Sequence, residues 1–135
     1  MIPVIRTMVE NGTPVEMTVT GNSMLPLLKN RISSVRLIKP DGLEKGDIVL
    51  YRRKDGHYVL HRIVALHDGV YDVSGDNQQA VDKNVLRADI FAKVNAYSRD
   101  GRCWKERDNL YRLMLPAVKT LRRVKRRLGA VMKRK

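Results

Sequence analysis

Val15, Met17 and Val19 alternate with Glu16, Thr18 and Thr20, the period-two pattern of a strand with one buried face. Further stretches at 34–38, 48–53, 58–66, 70–74 and 89–97 also read as strands. They are punctuated by Lys39-Pro40-Asp41-Gly42, Lys54-Asp55-Gly56, Asp68-Gly69 and Ser98-Arg99-Asp100-Gly101, where Gly and Asp suit tight turns and the Lys54–Gly56 spacer a hairpin. Ahead of them, 4–10 fits a short helix that Gly12-Thr13-Pro14 would end. Pro26 biases Leu25 away from the helical region and suits a first helical position, so a short helical turn is expected over Pro26-Leu27-Leu28. Many short strands with little helix predict a mainly β domain over residues 1–104, a twisted antiparallel sheet or partly open barrel.

The period changes towards the C-terminus. Leu110, Met114, Ala117, Leu121, Val124, Leu128 and Val131 recur three or four residues apart, one apolar helical stripe that Pro116 either starts or kinks. Residues 105–135 are therefore expected to form a C-terminal amphipathic basic helix. Residues 111–135 hold ten Lys/Arg and no acid, hence +10 of the formal +13, while 17 bases and 14 acids nearly balance in the rest. Such a tail commonly packs its stripe on its own domain and leaves the bases solvated. Ten uncompensated charges nevertheless exceed what solubility needs, which favours an anionic membrane surface as partner of residues 110–135. Nucleic acid ranks behind it, because Tyr111 is the tail's single aromatic for base stacking.

Cys103 is the one cysteine, which excludes an intrachain disulfide and a cysteine-based metal site. No window reaches the ~18 consecutive apolar residues of a membrane span, and the N-terminus lacks the usual signal-peptide pattern. The expected location is cytoplasmic, at most peripheral at a membrane.

The chemistry centres on Ser23, in Gly21-Asn22-Ser23-Met24-Leu25-Pro26. A serine hydroxyl needs a base to take its proton, and His61, in His61-Arg62-Ile63, has the right range. An acid on the other ring nitrogen would fix the tautomer and stabilise the imidazolium, and Asp76 in Gly75-Asp76-Asn77 and Asp82 are the candidates. Backbone N–H groups in the turn at Gly21, Asn22 and Met24 are candidate substrate and oxyanion donors. His57 lies four residues before His61, on the same strand face, but no third ligand cluster accompanies them, so a solvated His57 is expected and no metal or other cofactor.

The boxes Gly21–Pro26, Gly46-Asp47-Ile48-Val49, His61-Arg62-Ile63 and Gly75-Asp76-Asn77 together resemble those of the signal peptidase/LexA-like serine peptidases, from about Val15 to about Tyr97. Typical bacterial members carry a lysine where His61 stands. The histidine, with Gly-Asp-Asn and another Asp six residues on, is similar to the archaeal and endoplasmic-reticulum signal peptidases. The resemblance implies a coiled β-fold of the LexA/signal peptidase type and endopeptidase activity, with small residues preferred before the scissile bond. It assigns Asp82 as the triad acid and Asp76 as a neighbouring essential acid. Gly21 stands where signal peptidases usually have a serine, as in repressor-type members. The membrane anchor of signal peptidases is not expected, nor is a helix-turn-helix domain before Ser23.

Singly, Ser23 reads as a turn residue, His61 as a strand histidine and Asp76 as turn chemistry. Together and in order, they predict a serine endopeptidase acting on a peptide or protein precursor by a Ser-His-Asp mechanism. The alternative is a catalytically silent β-module that binds a peptide or anionic surface through its basic tail.

Overall fold

The computed structural model describes residues 2–25 and 27–106. The expected basic helix and its partner surface lie outside these residues, as does Pro26 of the expected helical turn. Within that turn, Leu28 N–H donates to Met24 O at 2.9 Å, an α-type closure. Among the described residues no helix is long and apolar enough to cross a membrane.

Helix α1 (Ile2–Glu10) buries Ile5 and Val9, one turn apart, and leaves Val4 and Met8 outside. It ends where Gly12 enters the left-handed region at φ 83°, with Gly12 N–H on Val9 O and Thr13 N–H on Met8 O. Those two bonds satisfy carbonyls that the helix end would otherwise leave open.

The strands are β1 (Val15–Thr18), β2 (Ser34–Ile38), β3 (Ile48–Arg52), β4 (Tyr58–His67), β5 (Val70–Ser74), β6 (Asp82–Leu86), β7 (Ile90–Ser98) and β8 (Lys105–Glu106). They pair antiparallel in the order β1-β2-β7-β3-β4-β5-β6, with β8 beside β7, so the sheet does not close. The mainly β, antiparallel expectation holds, and the sheet runs through Glu106, two residues past the expected boundary at 104. A 3-10 turn, Arg87–Asp89, leads from β6 into β7. β6 is an addition to the expected strands. It is an edge strand whose Asp82, Lys83 and Asn84 show no apolar alternation, and Val85 alone among its residues is buried.

β3 separates two cores. Ile48 and Leu50 face a cluster with Val35, Leu37, Val94, Met24, Leu27 and Leu28, and Val49 and Tyr51 face another with Ile63, Val73, Val85 and Ile90. Coverage on both faces explains why β3 reads as an unbroken apolar run. β4 pairs with β3 at Val49–His61 and Tyr51–Val59, which sets His61 on the second-core face and Arg62 on the other.

Candidate functional site

The Ser23 loop is anchored from beneath. Met24, Leu27 and Leu28 are buried in the first core, so the turn between them and β1 is fixed against the sheet. Val19 closes its neck, accepting from Arg31 N–H and donating to Ser33 O, while Gly21 N–H donates to Asn30 Oδ1 at 2.8 Å. Gly21 itself stands at φ 88°, a conformation a side chain would strain. Ser23 is half-buried between these anchors.

The loop after β5 holds the serine loop from the other side. Asn77 N–H donates to Ser23 O at 2.8 Å, and Asn77 Nδ2 to Asn22 O at 3.1 Å. A Cβ on Gly75 would lie 2.7 Å from Ser23 O and 3.1 Å from Ser23 Cβ, so Ser23 occupies the room that a side chain at 75 would take. β4 and β5 pair at Arg62–Ser74. Gly75 follows Ser74 directly, so Ser23 packs against the residue just past that pair.

His61 is buried, and its Nδ1 lies 3.1 Å from the Tyr51 hydroxyl. Tyr51 in turn donates to Asp82 Oδ2 at 2.5 Å. A phenol has one proton to give. With that proton on Asp82, the Tyr51 oxygen accepts from His61 Nδ1–H, which leaves Nε2 with its lone pair. Asp82 thus reaches His61 through Tyr51, where direct contact between acid and imidazole was expected. Burial, then hydrogen bonding to Asp82, pushes the Tyr51 phenol far above its ordinary value, so it stays protonated in the relay. Burial, helped by Arg53, holds His61 below its ordinary value near 6.5, although Asp82 and Asp76 pull the other way. At neutral pH the imidazole is neutral, the form a general base requires.

Asp76 stands elsewhere. It receives two parallel bonds from Arg62, Nε to Oδ1 at 2.9 Å and Nη2 to Oδ2 at 2.8 Å, with both side chains buried. Arg62 Nη1 also donates to Gly46 O at 2.9 Å. Gly46 N–H donates to Ile63 O, and Ile63 N–H to Asp47 O. The Gly46-Asp47, His61-Arg62 and Gly75-Asp76 boxes are therefore one strut, with Asp76 positioning the loop that carries Gly75 and Asn77.

Among the described residues no hydrogen bond joins the Ser23 hydroxyl to His61. The Ser23 and Met24 amides also donate to no acceptor among them, whereas Gly21 N–H is already committed to Asn30. Of the expected oxyanion donors Gly21, Asn22 and Met24, the Asn22 and Met24 amides donate to no acceptor among the described residues, and Gly21 supplies only its backbone conformation. His57 is exposed on the β3–β4 turn against Asp55, apart from buried His61, and no cluster of metal-ligating side chains occurs among the described residues.

Tyr51 escaped the sequence reading because it sits in an apolar run that fits core packing. The available signal was the hydroxyl itself: a tyrosine inside a strand buried on both faces needs a partner for its O–H. In comparisons with family models, curated proteins and solved structures, the chain has no match.

Proposed function

We propose that the protein is a serine endopeptidase of the signal peptidase/LexA-like type, with Ser23 as nucleophile and His61 as base. In the proposed reaction Ser23 Oγ attacks the peptide carbonyl carbon as its proton passes to His61 Nε2. The imidazolium is stabilised through Tyr51 by Asp82, and the tetrahedral oxyanion takes hydrogen bonds from the Ser23 and Met24 amides. His61 then protonates the departing amine; water, deprotonated by His61, attacks the acyl carbon, and the Ser23 oxygen leaves taking that proton back from His61. No cofactor enters these steps. An anionic membrane surface held by residues 110–135 is the proposed setting, since ten bases without an acid lie within that tail.

The supporting observation is the tautomer logic at His61: Nδ1 is committed to Tyr51, and Nε2 is left for the serine that packs where a Gly75 side chain would be. Incubating the full chain with a mixed peptide library and reading new termini by mass spectrometry tests it. Cleavage that vanishes in Ser23→Ala and in His61→Ala is expected, and cleavage persisting in both would sink it. The missing Ser23–His61 hydrogen bond favours a second reading, the silent β-module, which predicts no new termini. Apo enzymes often close that bond only with substrate present, so the endopeptidase reading is preferred.

A further inference from the structure

The second core opens at its rim into a cavity of about 730 Å3, between the end of β3 and β6, against about 250 and 240 Å3 for two other clefts. Tyr51 and Asp82 form part of its wall, and Ser23 and His61 do not. The cavity thus meets the relay at its acid end. There Asp82 is shared: besides Tyr51 it holds Arg53, with Nε 3.0 Å from Oδ2, and this ion pair is partly open to solvent.

The charge around that pair is unbalanced. Arg52, Lys54 and Lys83 line the cavity without an ion-pair partner among the described residues. The wall carries four cations, Arg52, Arg53, Lys54 and Lys83, against three carboxylates, Asp55, Asp82 and Asp89, so one positive charge is in excess. The wall also presents Val81 and Leu86, both exposed apolar side chains. A ligand matching both features has an anionic head and an apolar body.

We propose that this cavity binds a carboxylate attached to an apolar group, which takes Arg53 from Asp82 and leaves Asp82 to Tyr51 and hence to His61. The carboxylate accepts the Arg53 hydrogen bonds that Asp82 now receives, while Lys54 and Lys83 add attraction. The charged and titratable groups around His61 are Tyr51 and Arg53 at the end of β3, Asp82 on β6 and Asp76 after β5. Asp76 is locked on Arg62, so the ligand acts on the other three. Arg53 lowers the proton affinity of His61 and Asp82 raises it, so neutralising Arg53 shifts the balance upward.

The proposal rests on the serine-peptidase reading only for its consequence in catalysis, because binding and His61 titration are read without turnover. The experiment is an NMR titration of His61 in the full chain at low salt, with acetyl-leucine as probe and acetyl-leucinamide as its neutral counterpart. Acetyl-leucine is expected to raise the His61 midpoint saturably, with the amide at least about tenfold weaker. His67, held by Asp72 on β4 and β5, should not respond. Arg53→Gln should itself raise the His61 midpoint and abolish the response, whereas Lys54→Gln with Lys83→Gln should weaken acetyl-leucine binding about tenfold. Acetyl-glutamic α-amide carries its carboxylate on a side chain. A tighter response to it than to acetyl-leucine assigns the site to an internal acidic residue, the reverse to a chain terminus or free acid, and both uphold the proposal. An equal response to the neutral amide, or an unmoved His61 under all the carboxylates, would overturn it, even if Ser23 proves fully reactive.

Discussion

The Tyr51 hydroxyl lies diagonally across β3 and β4 from His61, 3.1 Å from Nδ1, and is the link through which Asp82 bears on the imidazole. Tyr51→Phe keeps the ring in the second core and deletes that link. In the proposed reaction the hydrogen bond it removes stabilises the imidazolium, so kcat should fall about ten- to a hundredfold with little change in KM. Nitrogen NMR should show the Nε2–H tautomer gaining population, a change that a merely structural role for Tyr51 would not produce. An unchanged tautomer and rate would remove Tyr51 from the relay.

Gly75 offers a separate lever, because its own backbone is not in the left-handed region and the obstacle to a side chain is the Ser23 loop. In Gly75→Ala the new methyl would meet Ser23 O at 2.7 Å, so Ser23 must move away. Activity should drop by about a hundredfold, as for comparable misplacements of a reacting group. Thermal unfolding should still be cooperative. Full activity in this variant would show that Ser23 has no need of its place beside residue 75.

Asp76 should matter first for stability. Asp76→Asn leaves a buried guanidinium without its counter-charge, which typically costs about 3–5 kcal/mol. Urea unfolding should show that loss, whereas Arg62→Met with Asp76→Leu should lose clearly less than the two single changes added together. A stable Asp76→Asn protein with no activity would instead move Asp76 into the chemistry.

The pH dependence follows from His61. Its folded-state proton affinity is depressed, so the unfolded chain binds the proton more readily. Stability from keeping it neutral is complete above about 6.5 and is lost as pH falls through the lower folded value. A second acid loss belongs to Asp72, whose carboxyl is held below its usual range by the Asn84 amide and then by His67. Chemical denaturation from pH 8 down to 4 should show the first loss in the parent protein and not in His61→Gln. The acid limb of kcat/KM should likewise lie below 6.5, and a limb at clearly alkaline pH would contradict an imidazole base.

Where one face of a strand is buried, alternation is visible, as in Val15, Met17 and Val19, and turns such as Asp68-Gly69 carry both residues at positive φ as hairpins need. β6 was not legible, because an edge strand needs only Val85 in the core and its polar residues serve the site and solvent. At the candidate site, residue types and their order singled out Ser23, His61, Asp76 and Asp82 as candidates. What sequence could not convey was a cross-strand diagonal: Tyr51 meets His61 only because β3 pairs β4 at Val49–His61. Nor could spacing divide the two acids, which lie six residues apart but serve Arg62 in one case and Tyr51 with Arg53 in the other.

Labelling of the full chain with a fluorophosphonate, mapped by peptide mass spectrometry, tests the nucleophile most directly. A phosphonyl adduct on Ser23 is predicted, absent in Ser23→Ala and slowed at least about a hundredfold in His61→Ala, where no base takes the hydroxyl proton. No adduct on Ser23, or one that forms as fast without His61, would contradict a serine activated by that histidine.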